Sequence, residues 1–197
     1  MTTTHAIQES QMRSPFFRDL LLWTLSFLAI PVAGYLGTAI VGRVDNLISA
    51  LLGGAFVGGA LGLVQALLSR RRLSPLRWTA ATAVGMSVAV GISTLLVGYA
   101  TDLGSLAIAG GIAGALLGLA QTFALPAGTR VRWLWVPVTA VLWPLAWTVT
   151  TLAGIHVEQQ FIMFGASGAI VYTVLAGLTL QALLPRRQPT QLGGHRR

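Results

Sequence analysis

Cysteine and lysine are both missing from this 197-residue chain, and acidic residues are scarce, with 5 Asp and Glu against 13 arginines. The missing cysteines exclude a disulfide framework, a thiolate metal site, an iron–sulfur cluster and covalently attached haem. Because lysine is missing, a retinal or pyridoxal Schiff base is excluded as well. Charged residues make up only 9% of the chain, whereas soluble domains carry about 25%. The composition therefore excludes an ordinary water-soluble globule.

Hydrophobic residues make up 54% of the chain, at a mean hydropathy of +0.74, and they gather in long uncharged runs. A helix that crosses the hydrocarbon core of a bilayer needs about 20 mainly apolar residues. Six runs of that length contain no Asp, Glu, Arg or His, and they cover 20–42, 47–68, 78–101, 103–125, 133–155 and 161–184. We therefore predict an all-α membrane protein with six transmembrane helices.

The placement of arginine predicts how these spans are oriented. Of the 13 arginines, all but Arg43 fall on the side of the predicted spans that the two termini share. Short cytoplasmic segments retain basic residues, so both termini are predicted to be cytoplasmic. Arginine in place of lysine, with abundant Ala, Gly and Leu, indicates a bacterial genome, so the inner (plasma) membrane of a bacterium is the predicted location. The predicted domains are a cytoplasmic segment over 1–19, a six-helix transmembrane domain over 20–184 and a basic cytoplasmic tail over 185–197.

The basic clusters have other interpretations besides orientation. Arg70, Arg71 and Arg72, with Arg77 close by, carry enough charge to hold anionic lipid headgroups or nucleic acid. We favour orientation as their role, with contacts to anionic lipid as a by-product, and we expect no nucleic-acid partner.

A period of about 56 residues runs through the chain and predicts internal repeats. The odd spans share Trp23, Trp78 and Trp133 at their starts, and they end on Thr38–Gly42, Thr94–Gly98 and Thr150–Gly154. In the even spans Gly54, Gly58 and Gly62 recur as Gly110, Gly114 and Gly118. Glycines four residues apart share one helix face and allow close helix packing. We predict three helical hairpins over about 20–69, 77–125 and 132–184, related by a pseudo-threefold axis along the membrane normal.

The even spans carry a short motif that is followed by Arg–Trp at the next span. Gly58–Gln65 and Gly114–Gln121 both read G-x-x-x-G-L-x-Q. In this the chain resembles uncharacterised bacterial six-span membrane proteins built from repeated GxxxGLxQ hairpins, a resemblance that implies the fold and brings no function with it. Three two-helix repeats are also similar to mitochondrial carriers, but the P-x-[DE]-x-x-[KR] signature of that family is missing, and no activity is transferred.

Three glutamines are the most regular polar signal. Gln65, Gln121 and Gln181 each lie four or five residues from the predicted cytoplasmic end of an even span, so they share one depth and could form a polar ring. The favoured interpretation is hydrogen bonding between helices. The alternatives are a permeation constriction or polar ligand site, and contact with lipid headgroups.

The opposite side has one carboxylate in each predicted turn, namely Asp45, Asp102 and Glu158. Each precedes an even span, where negative charge stabilises a helix N-terminus, so capping is the favoured interpretation. The alternative is an outer acidic ring that binds a cation at the mouth of the bundle.

Tryptophans supply one further candidate site. Trp143 and Trp147 are four residues apart beside Pro144, deeper than an interfacial belt, and are predicted to be core or lipid-facing residues. The alternative is that they line an apolar or aromatic ligand pocket. Trp133 and Trp135 are predicted to be interface anchors.

The one motif in the sequence that is similar to a catalytic signature is incomplete. Gly165–Gly168 is similar to the GxSG serine motif of rhomboid proteases, but that family needs a histidine on a later helix, and only His195 in the polar tail follows Ser167. Packing is therefore the predicted role of this motif. The predicted spans contain no carboxylate or histidine for a proton relay or haem ligation. We expect no enzyme, metal or cofactor.

Two classes of function remain. The first is a non-enzymatic structural or accessory subunit of a membrane assembly, with the lipid bilayer, another membrane protein or a second copy of the chain as its partner. The alternative is a small channel or carrier for a neutral or weakly polar solute. Packing accounts for every repeated feature without further assumption, which favours the first.

Overall fold

The structure is a computed structural model that describes residues 16–129, 131–155 and 165–184. Within these ranges the chain is all-helical, with six helices long and apolar enough to cross a membrane. They are α1 (Phe16–Val41), α2 (Leu47–Leu68), α3 (Pro75–Val97), α4 (Leu103–Ala124), α5 (Trp135–Leu152) and α6 (Ala166–Leu183). The prediction of six apolar helices is confirmed, and α2 has the bounds read from the sequence.

Neighbouring helices in the chain pack side by side, and α6 returns to pack against α1, so the contacts close into a ring of six. The most extensive packing joins α2 to α3 and α4 to α5. Each of these pairs consists of an even helix and the odd helix that follows it. The closest contacts therefore lie across the arginine-bearing loops, between predicted hairpins rather than within them.

The two ends of the bundle differ in chemistry. We call the end where the odd helices begin the arginine end, because Arg18, Arg70–Arg72, Arg77 and Arg132 lie there. We call the other end, which contains the turns after the odd helices, the glycine end. Both names are used below without reference to the side of a membrane.

Glycine is required where the odd helices end. Gly42, Gly98 and Gly154 have φ angles of +79°, +80° and +71°, a left-handed conformation that glycine adopts without a steric penalty. The amide of Gly98 still donates to the carbonyl of Thr94 at 3.0 Å. The repeated Thr–Gly pattern of the sequence thus marks the points at which the chain leaves the odd helices.

Helix α1 departs from regular geometry in its first half. Leu25–Leu28 form a 3-10 stretch, and Pro31 follows shortly afterwards. Proline has no amide hydrogen and its ring crowds the carbonyl four residues earlier, which belongs to Phe27. Helix α1 is therefore irregular next to its proline, whereas α5 remains α-helical through Pro144.

The outward surface of the ring is apolar. Leu96 and Phe123 are 70% and 65% exposed, and many other large aliphatic side chains are similarly uncovered. Soluble monomers rarely expose contiguous apolar patches of more than a few hundred Å². An apolar surface around an apolar interior suits contact with lipid.

Candidate functional site

Two of the three predicted glutamines lie buried between helices and bind a tryptophan of the next helix. Gln65 Oε1 accepts a hydrogen bond from the Trp78 indole at 3.0 Å, and Gln121 Oε1 accepts one from the Trp135 indole at 2.9 Å. Both glutamines are 1% exposed. At these two positions the amide bridges an even helix to the odd helix that follows it.

A buried threonine links the two pairs into one network. Gln121 Nε2 donates to Thr82 Oγ1 at 3.1 Å, and the Thr82 hydroxyl donates to the Trp78 carbonyl at 2.7 Å. The chain of bonds therefore runs from α2 through α3 and α4 to α5 at one depth. In a low-dielectric interior such bonds strengthen one another, and each unpaired member would be costly.

Three indoles from the odd helices fill the interior at the arginine end. The ring centroids of Trp23 and Trp78 are 6.3 Å apart, and those of Trp78 and Trp135 are 6.4 Å apart. Aromatic pairs at such distances add to the energy of burial. Because Trp78 and Trp135 are also the donors to the glutamines, this aromatic cluster and the polar network form one unit.

The prediction that Trp135 is an interface anchor is wrong. Trp135 is fully buried, whereas Trp133 is 53% exposed and packs edge-on against Phe123. A short 3-10 turn, Arg132–Leu134, delays the start of α5. Trp135 therefore occupies the place that the 55-residue spacing assigns to Trp133.

The third glutamine has a different partner. Gln181 Oε1 accepts a hydrogen bond from the guanidinium of Arg72, which also pairs with Asp19 at 3.9 Å. The buried indole nitrogen of Trp23 has no partner among the described residues. At the arginine end, the contact of α6 with α1 therefore uses the guanidinium of Arg72. The contacts of α2 with α3 and of α4 with α5 each use an indole instead.

The hydrogen bonding around Gln65 is also incomplete. Thr82 lies four residues after Trp78, but the residue four positions after Trp23 is Phe27, which has no hydroxyl. Within the described ranges Gln65 Nε2 has no hydrogen-bond partner. The polar network is therefore complete only around Gln121.

Replacing Arg72 with alanine should weaken the packing of α6 on α1. The change removes one bond to Gln181 and one partner of the partly buried Asp19, and bonds to charged groups contribute about 1.5–3 kcal/mol. We expect a loss of about 2 kcal/mol from the free energy of unfolding. Thermal unfolding in detergent, followed by near-UV circular dichroism, measures it. The exposed Arg77→Ala is the control, and equal losses in both variants would contradict this role of Arg72.

All six predicted packing glycines lie at close contacts between helices. A Cβ atom on Gly54 would lie 2.8 Å from the Met86 carbonyl oxygen, and one on Gly110 would lie 3.0 Å from Pro144 N. The remaining four are equally confined, namely Gly58 and Gly62 against α3, and Gly114 and Gly118 against α5. These faces let the backbones approach as membrane helices do.

The predicted acidic residues have separate roles where the structure describes them. Asp102 caps α4, because its carboxylate accepts from the Ser105 hydroxyl at 2.6 Å and from the Ser105 amide at 3.0 Å. These bonds, led by that of the hydroxyl, lower the pKa of Asp102 below its ordinary value of 3.8. Glu158 lies outside the described residues, and those that are described hold no cluster of three metal-binding side chains.

Helix α2 is capped by a neighbour of the predicted residue. Asn46 Oδ1 accepts from the Ser49 amide at 2.9 Å, and the Ser49 side chain completes a capping box. Asp45 Oδ1 accepts a hydrogen bond from the side-chain amide nitrogen, Nδ2, of Asn46 at 2.7 Å. Asp45 therefore supports the cap rather than providing it, since Asn46 is the residue directly before the first turn.

Replacing each of these residues with alanine should lower the free energy of unfolding by a different amount and with a different dependence on pH. Asn46→Ala should cost about 1 kcal/mol of unfolding free energy at all pH values, whereas Asp45→Ala should change it little. The folded pKa of Asp102 is lowered, so its stabilisation is present above the unfolded pKa and is lost as the pH falls through the folded pKa. The penalty of Asp102→Ala should therefore fade in acid. Unfolding curves across pH measure this, and a pH-independent penalty would refute it.

A cavity of about 120 Å³ opens at the glycine end between α3, α4 and α5. Trp143 and Trp147 line it together with Val90, Ser93, Ala109 and Ala113, and the lining extends to Val44 and residues 98–101. Trp143 is buried and packs edge-on against Tyr172, with ring centroids 6.1 Å apart. Trp143 belongs to the hydrophobic core and Trp147 packs against it, as the favoured interpretation predicts. The two tryptophans also line an apolar cavity.

The GxSG-like segment is a packing contact in the structure. A Cβ atom on Gly168 would lie 2.9 Å from the carbonyl carbon of Ala146 in α5. This agrees with the packing role predicted for the motif. His195 lies outside the described residues.

Together these features define an all-helical bundle that is compatible with a multi-pass integral membrane protein. Comparison of the chain with protein-family models, curated proteins and solved structures finds no match. Its function is therefore inferred from its own geometry.

Proposed function

We propose that the chain is a non-enzymatic, multi-pass integral membrane protein and a structural or accessory subunit of a membrane assembly. The observation that carries the proposal is the use of the interior polar groups. Gln65, Gln121 and Thr82 bind neighbouring helices. The described candidate spans carry charge only at the arginine end, at Arg18, Asp19, Arg77 and Arg132. Ion or proton coupling normally requires titratable groups inside the membrane.

The proposal includes three hairpins around a pseudo-threefold axis. Two kinds of local geometry support it. The first is the left-handed glycine after each odd helix, and the second is the glutamine–tryptophan pair that recurs at the contacts of α2 with α3 and of α4 with α5. The contact of α6 with α1 departs from this pattern through Arg72.

Orientation and partners complete the proposal. The asymmetry of arginine supports an orientation with the arginine end and both termini in the cytoplasm. The use of arginine without lysine, with abundant Ala, Gly and Leu, supports a bacterial inner membrane. Anionic lipids suit the arginine end. A further membrane protein, or a second copy of the chain, is the partner on the apolar outer surface.

Native size and the effect of gene deletion test the subunit role. Protein carrying an epitope tag should migrate, in a mild detergent, as part of an assembly larger than one 20.7 kDa chain. Deletion of the gene should remove or shrink a defined membrane complex on native gels. A strictly monomeric protein whose deletion leaves every membrane complex intact would overturn the proposal.

A small carrier or channel for a neutral or weakly polar solute is the second candidate, and the cavity favours it. The cavity is open at the glycine end, while the indoles of Trp23, Trp78 and Trp135 fill the arginine end. Proteoliposomes should then pass such a solute faster than empty liposomes. Replacing Gln65, Gln121 and Gln181 with leucine should change the flux, and an unchanged flux would count against a carrier or channel.

A further inference from the structure

We propose that the cavity at the glycine end binds one neutral aromatic ring that carries a hydroxyl group, a ligand of the phenol class. This site stands apart from the subunit role, because it lies at the other end of the bundle from the glutamine–tryptophan network. Its size, its walls, its hydrogen-bonding capacity and its uncharged lining each restrict the ligand.

The volume sets the size of the ligand. The cavity measures about 120 Å³, and apolar cavities of roughly 150 Å³ in proteins bind benzene. A single six-membered ring therefore fills the space, whereas a fused ring system exceeds it. Because the cavity is open at the glycine end, a small substituent can point outward.

The walls favour an aromatic ring over an aliphatic one. Trp143 and Trp147 contribute two indoles to the lining, and aromatic pairs gain energy beyond their buried area. Trp143 is held in place by its contact with Tyr172. A Cβ atom on Gly114 would lie 2.9 Å from Trp143 Cβ, so α4 packs closely against this tryptophan.

Two hydroxyl groups of the lining favour a donor on the ligand. The Ser93 hydroxyl donates to the Ala109 carbonyl at 3.1 Å, and the Thr94 hydroxyl donates to the Gly91 carbonyl at 2.9 Å. Because both hydroxyl protons are in use, the two oxygens offer only acceptor capacity. A phenol supplies the matching donor, and its methyl ether, anisole, does not.

The uncharged lining disfavours an anion. The lining residues that the structure describes include no Lys, Arg or His that could pair with a carboxylate. Burying a charged group without a partner is costly. The site therefore selects neutral phenol over benzoate, which has the same ring and a negative charge.

Protection of a single cysteine tests the site directly, because the natural chain contains none. Ala109→Cys places a thiol in the lining, and Leu103→Cys places one outside it at the same end. Saturating phenol should slow modification of Ala109→Cys by a small methanethiosulfonate, and anisole, which lacks one net hydrogen bond, should need an about fivefold higher concentration for equal protection. Leu103→Cys should react at an unchanged rate, and anisole or benzoate should protect Ala109→Cys less.

Two further variants separate a bound ring from general partitioning into the detergent. Adding Ser93→Ala and Thr94→Val to Ala109→Cys should bring protection by phenol down to that by anisole. In the chain without cysteine, phenol should raise the melting temperature, and Ala109→Leu, which fills the cavity, should abolish this rise while Ala107→Leu retains it. Equal slowing at both cysteines, equal protection by phenol and anisole, or no protection would overturn the proposal.

Discussion

Alanine in place of Gly58 should destabilise the bundle by about 2–3 kcal/mol, while alanine in place of its neighbour Gly59 should cost nothing. A Cβ atom on Gly58 would lie 2.5 Å from both Met86 Cβ and the carbonyl oxygen of Thr82, whereas on Gly59 its nearest neighbour is the Ala83 methyl at 3.8 Å. Overpacking of this kind typically costs 1–3 kcal/mol. The backbone atoms of α3 cannot move aside without separating the two helices.

The pair Gly58→Ala and Gly59→Ala controls for composition and helix propensity, since both changes add one methyl group to α2. Reversible unfolding in mixed detergent, followed by tryptophan fluorescence, measures the difference between them. A second pair on α4 repeats the comparison. Gly114→Ala should be costly, whereas Gly111→Ala, whose Cβ atom would meet only the Ala140 carbonyl oxygen at 3.9 Å, should not. Equal stabilities within either pair would contradict the packing described here.

Leucine in place of Gln121 should cost about 2 kcal/mol. The change removes the acceptor of the Trp135 indole and the donor to Thr82, and it leaves the indole nitrogen buried without a partner. An unsatisfied buried donor costs about 1–3 kcal/mol. Interhelical bonds in membrane proteins have smaller mean values of about 0.6 kcal/mol, so the orphaned donor accounts for most of the expected loss.

A double-mutant cycle isolates this interaction. Trp135→Phe removes the donor, so Gln121→Leu combined with Trp135→Phe should cost less than the sum of the two single changes. The control is Asn46→Ala with Trp135→Phe, two changes at opposite ends of the bundle with no shared partner, and it should be additive. Additivity in the Gln121 pair would show that the bond contributes nothing to stability.

The helix bounds followed from the sequence wherever the local signals agreed. Leu47–Leu68 was readable because Asn46 is a strong cap and Ser69 begins the arginine loop. Uncharged runs underestimated α1, which begins by Phe16 and includes Arg18 and Asp19. Charged side chains in a first turn can reach the polar interface while the backbone remains helical.

Helix α3 shows a second reason for such differences. It begins at Pro75, three residues before the predicted start, because proline suits the first turn of a helix. It ends at Val97 because Gly98 turns to positive φ. Hydropathy alone could not detect either signal, although both are present in the sequence.

The glutamines were predictable as interhelical residues, but their partners were not. Gln65 lies 13 residues before Trp78 and Gln121 lies 14 residues before Trp135. This near-constant separation across the arginine loops was the available signal. The even spacing of Trp23, Trp78 and Trp133 concealed it, because a 3-10 turn shifts the third tryptophan by two positions.

The pairing of Arg72 with Gln181 could not have been predicted. The two residues are 109 positions apart, and the repeat implies a tryptophan partner for this glutamine. Contacts of that kind depend on where the first and last helices meet, which no local pattern records. Asp19 did not indicate this pairing either, because a single acid near a helix start usually has a capping role.

The orientation of the bundle in a membrane is tested most directly by thiol labelling of single cysteines. Leu76→Cys lies at the arginine end and Tyr99→Cys at the glycine end, and the natural side chains are 80% and 43% exposed. With a membrane-impermeant maleimide on spheroplasts, Tyr99→Cys should be labelled at once, and Leu76→Cys only after permeabilisation. Labelling of both before permeabilisation, the reverse order, or release of the chain by alkaline carbonate would contradict the account.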